Sequence, residues 1–240
     1  MPRFPINSSQ ITDNKAIITG DEFKHIVKVL RFGKNDSVTL FDELHIEHTG
    51  KIVSVNNKEL EIEILHSDKS SKESFTDINL YQSVPKGSRI DLIVQKTTEL
   101  GIKSITPMRT QRSIVQDSRK SDRWTRIAVE ACKQCGRSEP TQIKEFSDFS
   151  DIIKQLPKDG LNLLFYENSG DTLNSFLKKL NTNYKTINIL IGPEGGFTTQ
   201  EIDSAKQEGI NIVGLGPRIL RVETASIASV AVIQHHFGDL

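Results

Sequence analysis

Two short stretches hold the residues best suited to chemistry. Ile191-Gly192-Pro193-Glu194-Gly195-Gly196-Phe197 places three glycines in five residues. Such a run lets the backbone turn without a Cβ clash and approach a ligand closely. Leu215-Gly216-Pro217-Arg218-Ile219-Leu220-Arg221-Val222-Glu223-Thr224-Ala225 adds two arginines and one acid to a second glycine turn. A single glycine-rich turn can be no more than a tight connection. Two of them, one rich in arginine, point to a ligand site. Neither is a common nucleotide signature: G-x-x-x-x-G-K-[ST] is absent, and Gly192-Pro193-Glu194-Gly195 breaks G-x-G-x-x-G. A P-loop and a Rossmann dinucleotide site are therefore poor readings.

The remaining reactive side chains read as structural. Cys132-Lys133-Gln134-Cys135 lies inside a helical pattern, and the chain has no further cysteine to complete a zinc site. No metal is expected. His235 and His236 are adjacent and point to different sides of a helix. Trp124, at helical spacing with Ile127 and Ala128, reads as core.

The elements that must position the two loops alternate. The segments 78–84, 104–108, 161–166, 186–191 and 211–215 read as strands, several of them continuously apolar. Helices are expected between them at 88–100, 122–136, 173–180, 198–208 and 223–237. Gly101 and Gly209 end the first and fourth of these, and Thr198-Thr199-Gln200-Glu201 is a capping box. This grammar implies a mostly parallel sheet covered on both faces, an α/β class. In such sheets ligands sit where strands lead into helices, which is where both glycine loops fall. The first 66 residues read differently. Strands are expected at 15–19, 37–41 and 59–66, the last strictly alternating, with one helix at 21–30; together they suggest a small β-barrel-like module. The polar run 67–74 reads as the linker, giving domains 1–70 and 75–240.

The chain has 240 residues, 36% apolar and 26% charged, and net charge zero. That balance excludes fibrous, low-complexity and largely disordered classes. Apolar runs are far shorter than the roughly 18 residues of a membrane span. No signal peptide is visible, and two cysteines make no disulfide framework, so a cytoplasmic location is expected. Charge is unevenly spread: residues 86–137 hold 12 Lys and Arg against 5 Asp and Glu, whereas both flanks are acidic. The excess is either a solvated helical face or a surface that meets phosphate.

The paired loops resemble those of the ribosomal RNA small-subunit methyltransferase E family. Lys86-Gly87-Ser88-Arg89, Gln95-Lys96-Thr97-Thr98-Glu99-Leu100-Gly101-Ile102, Ala131-Cys132-Lys133-Gln134-Cys135-Gly136-Arg137 and the terminal Phe237-Gly238-Asp239-Leu240 also match, so the likeness spans essentially the whole chain. It departs at Val222 and at Ala225–Ser226, where a Thr and small or hydroxyl residues are expected, and at Leu44–His48, which lacks the glycines often seen in the family's first domain. The resemblance implies a C-terminal SPOUT-type parallel sheet tied in a deep trefoil knot and a small N-terminal β-rich PUA-like domain. It also implies S-adenosylmethionine as cofactor, methylation of uridine N3 in 16S ribosomal RNA of the small subunit, and a homodimer through the knot domain.

On that reading Gly192, Glu194, Gly195, Leu215, Gly216, Ile219 and Leu220 hold the cofactor. Attack by uracil N3 requires loss of its proton, hence a base or a cation that stabilises the ring's negative charge. Arg221 and Glu223 are the catalytic candidates; the alternative is a structural ion pair opening the last helix. Arg3, Lys28, Arg31, Arg109, Arg112, Arg123 and Arg218 are expected on the RNA path, with Arg119 and Lys120 beside them. A non-enzymatic RNA-binding module and a related enzyme with another target atom are the rival functions.

Overall fold

The computed structural model describes residues 3–44, 46–69, 73–113, 121–180 and 182–240. The chain forms two compact units, Met1–Glu73 with Cys132–Glu139, and Ser74–Ala131 with Pro140–Leu240.

The first unit is built on six strands: β1 (Arg3–Pro5), β2 (Ile11–Thr12), β3 (Lys15–Thr19), β4 (Ser37–Phe41), β5 (Ile46–Val55) and β6 (Glu59–Lys69). They form one sheet in the order β1-β4-β5-β6-β3-β2, antiparallel except where β1 joins β4. β6 alternates as its sequence predicts: Leu60 and Ile62 are fully buried and Glu59 and Glu63 exposed. It runs on to Lys69, so Ser67–Lys69 are strand rather than linker; residues 70–72 lie outside the described residues.

The helix expected over 21–30 is only half α. α1 (Gly20–Lys24) gives way to a π-helical turn at His25–Val29, where the Leu30 amide donates to His25 O at 3.0 Å. The wider turn still buries Phe23 and Ile26 but leaves Val29 exposed, and Arg31 follows in a left-handed conformation at φ 59°. Asp42 and His48 are buried in this unit. Asp42 accepts from the Leu44 and Ile46 amides, and His48 bridges Asp42 and Ser67 at 3.1 and 2.8 Å.

The second unit follows the alternating grammar. Its strands are β7 (Asp77–Ser83), β8 (Ser104–Arg109), β9 (Gln142–Ile143), β10 (Ser147–Asp148), β11 (Leu161–Phe165), β12 (Thr186–Ile191) and β13 (Asn211–Val213). Every pairing among them is parallel, in the order β10-β8-β7-β12-β11-β13 with β9 also on β8. The helices are α2 (Arg89–Glu99), α3 (Ser121–Cys135), α4 (Phe149–Gln155), α5 (Leu173–Leu177), α6 (Thr199–Gln207) and α7 (Val222–Phe237).

Alternate strand residues serve opposite faces. Leu163, Ile187 and Ile189 pack with Ile93, Trp124, Leu173 and Ile233 from α2, α3, α5 and α7. Leu164 and Leu190 pack with Phe149 and Ile152 from α4 and Ile202 from α6. Trp124 is core, 1% exposed. Gly101 and Gly209 follow α2 and α6 at φ 83° and 80°, the left-handed position a helix C-terminus favours.

Candidate functional site

The carboxyl ends of β11, β12 and β13 surround a cavity of about 440 Å³, within the range of about 300–1,000 Å³ typical of small-molecule sites. Three connections shape it. From β11 the chain continues through Phe165, Tyr166 and Glu167; from β12 it enters the first glycine loop; from β13 the second loop leads into α7. Backbone conformation explains why these are glycine loops. The Gly196 amide closes a turn onto Pro193 O at 2.9 Å with φ 67°, and Gly216 sits at φ 108° with open space where a Cβ would stand. An L side chain at either position is strained. Phe197 follows as a buried ring, and Thr198 caps α6 through a reciprocal bond with Glu201.

Gly192, Glu194, Leu215, Gly216, Ile219 and Leu220 all line the cavity, as do Arg218, Arg221 and Glu223. Gly195 stands outside the lining: its carbonyl accepts from Arg112 Nη1 at 2.7 Å. Glu194 lines the cavity already engaged, taking Arg89 Nη1 at 2.8 Å and the Lys86 amide at 3.0 Å.

Arg221 is the N-cap residue of α7; its carbonyl accepts from the Ala225 amide at 2.8 Å, while its side chain makes no cap bond and is exposed. Glu223 lies in the first turn, where the helix dipole favours a carboxylate. Its Oε2 is buried and has no hydrogen-bond partner. The ion pair between Arg221 and Glu223 is not formed, and among the described residues neither side chain has another partner. A buried acceptor left unmet costs about 1–3 kcal/mol, and Glu223 shares that condition with Arg3 Nε, Glu22 Oε2 and Trp124 Nε1, of which none lines the cavity.

Sequence reasoning missed Phe165, Tyr166, Glu167 and Arg89 in the lining. The first three carry no motif. Their position at the end of a continuously apolar parallel strand was the available signal.

The seven RNA candidates are placed unequally. Lys28 and Arg31 are exposed in the first unit, and Arg218 is exposed at the cavity. Arg109 is held by Asp148 at 2.8 Å and lies over the Phe146 ring, Arg123 is paired with Asp91 at 2.7 Å, and Arg112 holds Gly195. Arg3 is interior, its side chain 10% exposed, bridging Glu47 and Arg137 O and stacked on Phe41. Arg119 and Lys120 lie outside the described residues. Cys132 and Cys135 are free thiols. Burial pushes the Cys132 thiol up to about 12, and its Sγ donates to Arg137 O. Among the described residues no cluster of His, Cys, Asp and Glu could hold a metal ion.

Residues 72–234 match the RNA methyltransferase domain family and residues 18–65 the RNA methyltransferase PUA domain family. The chain is 32% identical to the ribosomal RNA small subunit methyltransferase E of Buchnera aphidicola (subsp. Schizaphis graminum), over 95% of this chain and 93% of that one. A crystal structure of the methyltransferase E of Neisseria gonorrhoeae bound to S-adenosyl methionine superposes with TM-score 0.90 at 32% identity, covering 100% and 99% of the two chains. A putative methyltransferase from Legionella pneumophila, also with bound S-adenosyl methionine, superposes with TM-score 0.89 at 29% identity, covering 99% and 98%.

Proposed function

We infer the reaction from kinship: this chain belongs to the ribosomal RNA small subunit methyltransferase E family. It uses the cavity at the carboxyl ends of its parallel sheet to methylate small-subunit ribosomal RNA from S-adenosylmethionine, at N3 of a uridine. The observation that supports this reading is the pair Arg221 and Glu223, which both line one cavity and among the described residues have no hydrogen-bond or ion-pair partner.

The residues present fit the cofactor. Phe165, Ile191, Leu215 and Leu220 offer apolar walls for adenine, and Gly216, with open space where a Cβ would stand, leaves backbone open to a close ligand. S-adenosylmethionine supplies, when bound, a methyl carbon on a positively charged sulfur. The protein's part is placement of the uracil for in-line attack, since alignment of two reactants lowers the barrier by several kcal/mol. The Glu223 carboxylate accepts the N3 proton, and Arg221 stabilises the negative charge that spreads onto the uracil carbonyls. Lys28, Arg31 and Arg218 carry phosphate contacts; Arg109, Arg112 and Arg123, already bonded to protein groups, contribute mainly charge. Arg3 serves the interior of its unit.

Two further features belong to this reading. Both glycine loops close on one cavity, and β13 pairs with β11 rather than β12; both support the deep trefoil knot. Exposed Leu92 on α2 and Val232 on α7, each 42% exposed, support a homodimer through these helices. On α7, Val230 and Ile233 are core and Gln234 bonds Leu100 O, so only part of this helix is left to an interface. Light scattering should give about twice the 26.9 kDa chain mass. Among the described residues no helix is long and apolar enough to cross a membrane.

The deciding experiment is nucleoside mass spectrometry of 16S ribosomal RNA from cells with and without the chain. One N3-methyluridine should vanish with the gene and return with the purified enzyme, S-adenosylmethionine and small subunits. An unchanged nucleoside profile overturns the target, and transfer of methyl to a ribose or another base replaces it.

A further inference from the structure

Three acids line the cavity, and they differ in what already satisfies them. Glu194 is neutralised by Arg89 and the Lys86 amide. Glu223 stands at the start of α7 with one oxygen buried. Glu167, two residues beyond the end of β11, is exposed and among the described residues has no hydrogen-bond or ion-pair partner. The first glycine loop passes directly against it: a Cβ on Gly196 would stand 2.8 Å from Glu167 Oε1. Glycine at 196 is required by its φ of 67°, and it places the loop beside this carboxylate.

The cavity also carries two exposed cations, Arg218 and Arg221, that have no partners among the described residues. Its apolar residues Phe165, Ile191 and Val222 are buried. The site therefore combines buried apolar walls with uncommitted charge of both signs at its exposed margin. An apolar ring at one end of a ligand and a zwitterion at the other match that layout. Buried carbon takes the ring, and free charges of opposite sign take the two ends of an amino acid.

We propose that the Glu167 carboxylate anchors the α-ammonium of the cofactor's methionine portion. This assignment rests on the S-adenosylmethionine reading above. Glu167 is a positioning residue: it fixes where the methionine chain runs and takes no part in moving the uracil proton.

Isothermal titration of the full chain and of Glu167→Gln with three ligands tests it. S-adenosylmethionine and S-adenosylhomocysteine both carry the ammonium, but only the first carries the sulfonium charge. 5′-Methylthioadenosine keeps adenine and ribose and lacks the amino acid. Glu167→Gln should weaken the two amino-acid ligands by the same factor, roughly 10-fold, as expected for a charged hydrogen bond. It should leave the nucleoside unchanged within about 2-fold, the spread expected of an uninvolved exposed side chain. Glu167→Asp should recover part of the loss, and the melting temperature should hold because Glu167 has no contact to lose. Equal weakening of all three ligands assigns Glu167 to the ribose and overturns the proposal. Weakening of S-adenosylmethionine alone assigns it to the sulfonium, and no weakening removes it from the site; either result overturns the proposal too. Failure of the unaltered chain to bind any of the three overturns the cofactor reading itself.

Discussion

The parallel sheet has a hollow at each end, of about 440 Å³ at the carboxyl ends and about 490 Å³ at the amino ends. The amino-end hollow is bordered by Asn79, Ser104 and Asn188, which occupy paired registers on neighbouring strands. These side chains form a ladder. Ser104 Oγ donates to Asn79 Oδ1 at 2.7 Å, Asn79 Nδ2 to Asn188 Oδ1 at 3.2 Å, Asn188 Nδ2 to Asn162 Oδ1 at 2.7 Å, and Asn162 Nδ2 to Pro157 O at 3.0 Å. The carboxyl end is the reverse: Glu223 Oε2 is buried and unmet, and Arg218, Arg221 and Glu167 have no partners among the described residues. Volume does not separate the two hollows; they differ in whether these named side chains bond one another. Groups that saturate one another hold strands in register, whereas groups held unmet depart from the rule that buried polar atoms are paired, and such departures gather at functional sites.

The contrast can be broken by mutation at either end. Arg221→Ala should give the largest effect, a loss of turnover of roughly 10²–10³-fold, the usual result of removing one electrostatic stabiliser. Cofactor affinity and melting temperature should barely move, because Arg221 contributes no ion pair to the fold. Normal turnover at saturation, with weaker RNA affinity and a smaller salt slope, would instead make Arg221 a phosphate contact.

Asn188→Ala should do the opposite. It leaves Asn79 Nδ2 and Asn162 Oδ1 without partners, a cost of about 2–6 kcal/mol for two unmet groups. Urea denaturation should report that loss while cofactor affinity stays put. A cost below about 0.5 kcal/mol, the usual bound for an inconsequential surface change, would show that the ladder does not stabilise the sheet.

Gly196→Ala should lie between the two ends in character. It should lose about 1–2 kcal/mol of stability, the strain of a left-handed L-residue, and weaken cofactor binding as the new Cβ displaces Glu167.

Cys132 supplies the smallest effect near neutral pH. Its folded pKa of about 12 lies above that of an unfolded thiol, so both states keep the proton below the unfolded value. As pH rises beyond it the unfolded chain loses the proton first, and stability falls until the folded pKa is passed. Cys132→Ser should remove that part of the alkaline slope. Alkylation at pH 8, mapped by mass spectrometry, should spare Cys132 until the chain is denatured.

Local patterns reached a good part of the fold because they act over a few residues. The alternation of Glu59–Ile64, the capping box at Thr198–Glu201, and the glycines closing α2 and α6 all appear where their chemistry requires. The all-parallel sheet follows from continuously apolar strands separated by helices. Elements shaped by distant neighbours were harder to read. β5 has no strict alternation, and its ten residues are ordered by β4 on one side and β6 on the other, with irregular register at Thr49/Gly50 and Ile52/Ser54. Nothing in 21–30 signals a π turn. Arg3 looks like a phosphate contact until Glu47 and Arg137, far along the chain, enclose it.

By itself the sequence determined the two glycine loops, their place at strand ends, and the charges they carry, because turn geometry and side-chain type are written residue by residue. Only the tertiary structure decided which of those charges are free. Glu194 and Glu167 are both acids near glycine, yet Glu194 meets Arg89 across 105 residues and Glu167 meets no partner among the described residues. Asn79 and Asn188, 109 residues apart, become one hydrogen-bonded pair only when β7 and β12 align. A hydrogen bond depends on distances of a few tenths of an ångström between atoms whose separation along the chain says nothing of their separation in space. Whether a polar group is structure or site is therefore settled by packing.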